Sequence, residues 1–278
     1  MVTLPGQIVS GEWLAEHVGE VEVLDARWYL DGRSGRAAYE RGHIPGARWI
    51  DLDADLSLPP SAEGGRHPLP PAAQVTAALG RLGVAPDRPV VVYDDSSGSI
   101  AARAWWLLSA LGQPVAVLDG GLASWPGELT TEEHDVEPVE RAAMEWPVGR
   151  FLEIDDVVPH LARSGAVLLD ARAASRFTHG DPVIDPRPGH VPGAQSAPWM
   201  ANLDPDTGRL LPAEALRDRY AALGAADGAP VAAYCGSGVT ACHDLLALAI
   251  AGVDSTALYT GSWSQWGADE TRAADTSA

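Results

Sequence analysis

Short, unbroken apolar runs alternate along this chain with longer stretches of helix-like sequence. Residues 21–25, 89–93 and 114–118 are runs closed by Asp or Gly turn residues, which predicts strands buried in a parallel sheet. Residues 166–170, 230–234 and 255–259 repeat the pattern, and 101–110, 213–223 and 240–251 carry the helical segments between strands. Strand–helix alternation of this kind predicts an α/β fold, a parallel sheet flanked by helices.

The pattern occurs twice. Leu24-Asp25-Ala26-Arg27 returns as Leu169-Asp170-Ala171-Arg172, and Gly42-His43-Ile44-Pro45-Gly46-Ala47 as Gly189-His190-Val191-Pro192-Gly193-Ala194. Val91-Val92-Tyr93 is echoed by Ala232-Ala233-Tyr234, and Gly120 with Trp125 by Gly261 with Trp266. The offsets are 145, 147, 141 and 141 residues, so four landmarks keep their order and nearly their spacing. An ordered set of this kind marks one fold used twice. The 278 residues suit two domains. The expected division is 1–127, an exposed linker over 128–149 containing Pro138 and Glu132-Glu133, and 150–278.

Charge and composition narrow the chemistry. A net charge of −19 repels nucleic-acid phosphates and anionic membranes, and no basic tract or C-x-x-C pair offers a nucleic-acid module. No nucleic-acid or membrane partner is expected. The start of the chain lacks a charged segment followed by an apolar run, and its most apolar stretch, 245–252, is too short to span a bilayer. Cys235 and Cys242 make no disulfide framework, so the expected address is cytoplasmic. The eight histidines do not gather with cysteines at ligand spacing, and no metal or cofactor is expected.

Tyr234-Cys235-Gly236-Ser237-Gly238-Val239-Thr240 joins the end of a predicted strand to the start of a helix, where open α/β sheets bind ligands. Two glycines permit a tight turn whose N–H groups point inward. With the helix N-terminus, such a nest favours an anion on the Cys235 sulfur, the nucleophilic form of a thiol. The bland alternative makes Cys235 a small buried hydrophobe at a strand end. Cys242 returns to the same helical face seven residues on and reads as core, with a redox role as its alternative. A C-x5-R phosphatase needs an arginine where this chain has Ala241, which disfavours phosphoryl transfer. In the first half, Asp94 or Asp95 stands at the Cys235 position, a one-residue gap leaving both open. A carboxylate cannot carry sulfur, so that half is read as catalytically silent and as one wall of a cleft.

Taken together, these motifs resemble the two-domain rhodanese family of thiosulfate and 3-mercaptopyruvate sulfurtransferases. The match runs from Trp28-Tyr29-Leu30 through His43-Ile44-Pro45-Gly46-Ala47 and Asp119-Gly120-Gly121 to Gly261-Ser262-Trp263. The resemblance implies tandem rhodanese-like domains, with the active cysteine in the second. Its Cys-Gly-Ser-Gly-Val-Thr loop is similar to that of mercaptopyruvate-preferring members, and no cation stands within it to suit thiosulfate. By the same resemblance Cys235 is the sulfur carrier, and Gly236, Gly238, Val239 and Thr240 line the substrate. Arg172, Arg176 and Arg187 are candidates for the donor's carboxylate and keto group. For Arg172 a structural ion pair is the alternative, because Arg27 repeats it in the silent half. Ser237 and His43 align with the serine and histidine of the family's proton relay, whose aspartate has no counterpart just before His43; a shared turn is the alternative for His43, and structural roles are expected for His190 and His243. The implied reaction moves sulfur from mercaptopyruvate, or alternatively thiosulfate, to a small thiol, cyanide or a thioredoxin-like protein. A sulfur-relay protein loaded by another enzyme is the competing class.

Overall fold

The computed structural model describes residues 2–226 and 228–277. Two compact units emerge, and neither is one continuous stretch of chain. Unit 1 is Met1–Leu58 with Pro70–Pro147, and unit 2 is Pro59–Leu69 with Val148–Ala278.

Unit 1 contains β1 (Ile8–Val9), β2 (Glu22–Asp25), β3 (Arg48–Trp49), β4 (Val90–Tyr93) and β5 (Val115–Leu118). Their order is β1-β5-β4-β2-β3, all parallel. Helices α1 (Gly11–His17), α2 (Gly35–Arg41), α3 (Ala72–Arg81) and α4 (Ala101–Ala110) accompany the sheet. Unit 2 repeats the plan with β6 (Phe151–Leu152), β7 (Val167–Asp170), β8 (Gln195–Ser196), β9 (Val231–Tyr234) and β10 (Thr256–Tyr259). Here the order is β6-β10-β9-β7-β8, again parallel throughout. Its helices are α5 (Val157–Leu161), α6 (Ala174–His179), α7 (Ala213–Ala222), α8 (Ala241–Ala251) and α9 (Ser262–Trp266).

Registers agree as well as orders: Asp25 stands opposite Tyr93 in unit 1, and Asp170 opposite Tyr234 in unit 2. The central strands β4 and β9 are buried at every residue, as continuous apolar runs require. α8 is buried from Ala241 to Leu248 because its sequence is apolar almost all round, and α7 packs against it. The strand that ends at Tyr234 and the helix that starts at Ala241 hold the cysteine loop between two rigid elements.

Two segments depart from the contiguous division expected from the sequence. Residues 128–147 are not a free linker but run along unit 1, tied by backbone bonds. Thr130 and His43 exchange N–H···O bonds of 2.9 Å, and the Val139 N–H donates to Gly80 O at 2.9 Å. Arg141 donates to Val84 O and Trp146 to Pro70 O, both at 2.7 Å. Residues 59–69, from the first half of the sequence, belong to unit 2. There Ser61 and Gly65 form a small bridge, Arg66 N–H donates to Ser264 Oγ at 3.0 Å, and Gln265 donates to Glu63 O. Among the described residues no helix is long and apolar enough to cross a membrane.

Candidate active site

The matching loop of unit 1 explains the cysteine loop. In unit 1 the chain leaves β4 at Tyr93, and the buried Asp94 carboxylate is encircled by backbone amides. Oδ1 accepts from Ser96 and Gly98 at 2.8 and 2.9 Å, and Oδ2 from Ile100 and Ala101, both at 2.8 Å. Four inward N–H groups at the start of α4 form an anion cradle with its anion in place. Asp95 instead accepts from the Tyr29 hydroxyl at 2.6 Å. Asp94 is therefore the counterpart of Cys235.

Unit 2 builds the same loop. Gly98 and Gly238 both take left-handed backbone angles, φ 84° and 76°. Where the Gly98 N–H meets the Asp94 oxygen, the Gly238 N–H points at Cys235 Sγ, 3.2 Å away. The loop is pinned from behind by the turn after β10: Trp263 N–H donates to Cys235 O at 2.9 Å and Ser264 N–H to Gly236 O at 2.8 Å. Unit 1 has the equivalent bond from Leu122 N–H to Asp94 O at 2.7 Å. Cys235 is buried, but it does not sit in an apolar pocket with its loop amides used elsewhere. Among the described residues the N–H groups of Gly236, Ser237, Val239 and Thr240 have no acceptor. Cys242 lies wholly in the core with its thiol on Gly238 O.

The residues around the loop differ from those expected. The histidine at Ser237 is His67, whose Nδ1 is 2.7 Å from Ser237 Oγ, both groups being buried. His43 is instead a turn residue of unit 1. It stacks on Tyr39, and its ring nitrogens face the carbonyls of Tyr39 and Glu132 at 2.8 and 3.1 Å. His190 repeats this on Phe177, as expected for a shared turn.

The arginines separate into three roles. Arg172 is structural: fully buried, it grips Asp170 through Nε and Nη2 and donates to Gly189 O at 2.8 Å. Arg27 makes the same bonds to Asp25 and Gly42 O, so the motif ties a β-strand to a turn in both units and Arg172 is no donor ligand. Arg187 likewise serves the fold, donating to the carbonyls of Asp269 and Arg272. Arg176 is at the loop, and so is Arg66, which sequence reasoning missed. A Cβ placed on Gly236 would lie 3.0 Å from Nη2 of each. The absence of a cation within the loop is thus made good through space, and the loop sequence alone does not disfavour thiosulfate. Arg176 is held by Asp185, with Nε–Oδ2 2.9 Å and Nη2–Oδ1 2.5 Å. Although burial opposes its charge, Asp185 stays below the ordinary carboxylate range because Arg176 and Arg172 outweigh that cost. Burial lowers Arg66; the nearby Cys235 and Asp185 counter this and Arg176 adds to it.

Such a loop can hold a sulfur anion on amides while an adjoining hydroxyl–imidazole pair moves a proton. The rhodanese-like domain model matches residues 10–128 and 154–269, one copy in each half. The probable 3-mercaptopyruvate sulfurtransferase of Pseudomonas aeruginosa is 44% identical over 96% of both chains. The putative thiosulfate sulfurtransferase SseB of Mycobacterium tuberculosis is 38% identical, over 97% of this chain and 93% of its own. Among solved structures, the 3-mercaptopyruvate enzyme SseA of Escherichia coli is 34% identical with TM-score 0.79, covering 93% of this chain and 99% of its own. With the domain matched twice and its relatives covered from end to end, this chain belongs to the rhodanese family in tandem form and is a sulfurtransferase.

Proposed function

We propose that the donor is 3-mercaptopyruvate and that Cys235 carries its sulfur as a persulfide to a small thiol, cyanide or a thioredoxin-like protein. The observation that carries the persulfide is Asp94. A persulfide sets its terminal sulfur two bonds beyond Cβ, as an aspartate sets its carboxylate oxygens. In the same loop of unit 1 those oxygens lie on four amides. The unit 2 loop is one residue shorter, and counted back from the helix starts, Ala101 and Ala241, the matching N–H groups are those of Gly236, Gly238, Thr240 and Ala241. They are suited to receive a terminal sulfur bearing negative charge.

In the first step the Cys235 thiolate attacks the donor sulfur. A sulfur–sulfur bond forms, the donor's carbon–sulfur bond breaks, and its electron pair passes to carbon, giving the enolate of pyruvate. That enolate takes a proton to become pyruvate, and the proposed source is Ser237 with His67, whose 2.7 Å contact supports the reading. In the second step the acceptor attacks the terminal sulfur and Cys235 leaves as thiolate, so ping-pong kinetics follow. The need for a proton favours mercaptopyruvate over thiosulfate, whose sulfite leaves without one. The thiosulfate reading is kept alive by the two guanidinium groups at Gly236. Two free cysteines fit a reducing compartment, and the proposed address is the cytoplasm.

The test is single-turnover loading of purified protein with mercaptopyruvate or thiosulfate, read by intact mass. Mercaptopyruvate is expected to add one sulfur to Cys235 and release pyruvate, and Cys235→Ser to abolish both. Full turnover in that variant, or loading by thiosulfate alone, refutes the proposal.

A further inference from the structure

Residues 59–71 read Pro-Pro-Ser-Ala-Glu-Gly-Gly-Arg-His-Pro-Leu-Pro-Pro, a proline-bounded loop presenting one Arg-His pair. Gly65 brings that pair against unit 2. Its φ is 80°, and a Cβ there would sit 2.6 Å from both Gly261 O and Ser264 Oγ, so only glycine allows this approach. The Arg66 N–H then bonds Ser264 Oγ at 3.0 Å, in the turn that also anchors the Cys235 and Gly236 carbonyls. The backbone of Arg66 and the cysteine loop are therefore fixed to one support.

The guanidinium of Arg66 has charge to offer. Nη1 donates to Ile184 O at 2.9 Å, Nε is buried without a partner, and Nη2 faces Gly236. Among the described residues no carboxylate lies within ion-pair range of it. Arg172 is balanced by Asp170, and Arg176 by Asp185. The cluster of three arginines and two aspartates thus leaves one positive charge, and geometry puts it on Arg66. On a chain of net charge −19, that local excess is what admits an anion to the loop. Because residue 236 has no side chain, Nη2 of both Arg66 and Arg176 comes within 3.0 Å of where its Cβ would stand, which brings the two planar guanidinium groups together at the loop, where one carboxylate can meet both.

We propose that Arg66 is the specificity-determining residue of the site, receiving the single carboxylate of a monoanionic donor above Gly236; this rests on the sulfurtransferase reading. Arg176 then orients the same group, and its own charge is neutralised by Asp185.

The experiment compares alkylation of Cys235 by iodoacetate, an anion, and iodoacetamide, its neutral analogue, followed by mass. Loss of a charge-assisted hydrogen bond corresponds to about tenfold or more in binding. Arg66→Gln is expected to lower the iodoacetate-to-iodoacetamide rate ratio at least about tenfold and to raise the mercaptopyruvate KM similarly. The acceptor KM and the melting temperature should stay at wild-type values, the iodoacetamide rate should fall far less than the iodoacetate rate because it registers only the lost cation near the thiolate, and Arg66→Lys should restore part of the ratio. If Arg66→Gln does not fold, Arg66→Met, which keeps the aliphatic stem packed, is read the same way. An unchanged ratio, or an equal fall with both reagents, overturns the proposal. A wild-type protein that ignores mercaptopyruvate while the ratio still falls in Arg66→Gln upholds Arg66 and defeats the donor assignment instead.

Discussion

The Asp94→Asn substitution in unit 1 tests whether this loop is built around an anion. The wild-type carboxylate takes four backbone N–H groups, two on each oxygen, at 2.8 to 2.9 Å. Asparagine leaves one oxygen for two of them and turns an NH2 group toward the other two, donor against donor. A hydrogen bond to a charged group contributes about 1.5–3 kcal/mol, so losing two of them costs unit 1 about 3–6 kcal/mol. That is a large part of the ~5–15 kcal/mol that stabilises an ordinary domain. With a urea m-value of about 2 kcal/mol per molar, the midpoint falls by about 1.5–3 M. Two units make two transitions the expectation, and the buried Trp105 and Trp106 of α4 report the one of interest by fluorescence. Iodoacetamide labelling of Cys242, which lies wholly in the core, shows in the same samples when unit 2 opens. A loss below about 1 kcal/mol at unchanged m would mean that the loop does not depend on an anion. The persulfide cradle inferred from it would then fall.

Two further outcomes follow. His67→Ala should slow sulfur loading from mercaptopyruvate by about 10²–10⁴-fold, the usual range for a lost general acid. Transfer from a preloaded persulfide to cyanide should change far less, and stopped-flow pyruvate release that is unaffected would remove His67 from the proton path. Asp244→Asn should stabilise unit 2 only toward neutral pH. Burial raises the Asp244 carboxyl to about 7, against Asn202, Arg219 and Tyr220, which lower it, while Asp170 adds to the rise. Its Oδ1 accepts from Asn202 and Tyr220, Oδ2 has no partner, and His243 borders the same group through Asn202. With a folded-state value above the unfolded one, the native protein holds a proton between about pH 4 and 7 that the unfolded chain releases. Stability therefore falls as pH rises through that window. The asparagine variant should match wild type near pH 4 and gain up to about 4 kcal/mol by pH 8, read from urea midpoints. Equal midpoints across that range would refute the buried carboxyl's role.

Much of this was legible in the chain because it is written twice. The six longer strands follow from apolar runs, and the predicted ends differ from the observed ones by a single residue: 21–25, for example, against Glu22–Asp25. The edge strands Ile8–Val9, Arg48–Trp49, Phe151–Leu152 and Gln195–Ser196 were not legible, since two residues carry no periodicity. Cys235 and its loop stood out through the asymmetry between repeats. The same asymmetry could have found His67: Gly65-Arg66 is echoed by Gly208-Arg209, after which His67 stands against Leu210. His43 misled because both halves keep it, which marks a turn rather than a reaction. No local pattern announces that residues 59–69 leave the first half to join unit 2, because that association rests on Gly65 meeting a turn about 200 residues away.

The two loops share one backbone plan and differ in the side chain that meets their amides. In unit 1 the anion is built in, so the amides are always satisfied and nothing remains to react. In unit 2 the aspartate is replaced by a side chain that reaches only one amide, the Gly238 N–H, and leaves its neighbours without acceptors. Under the proposed function, a sulfur added to Cys235 extends the side chain to the length of aspartate and carries the negative charge outward to those amides. On that proposal the loop favours the loaded state before any donor contact is counted, and the preference must stay modest for the acceptor to remove the sulfur again. Partial amide satisfaction by the thiol meets both demands. A fully empty cradle would hold the persulfide too firmly, and a cradle filled by its own side chain, as in unit 1, could not be loaded at all.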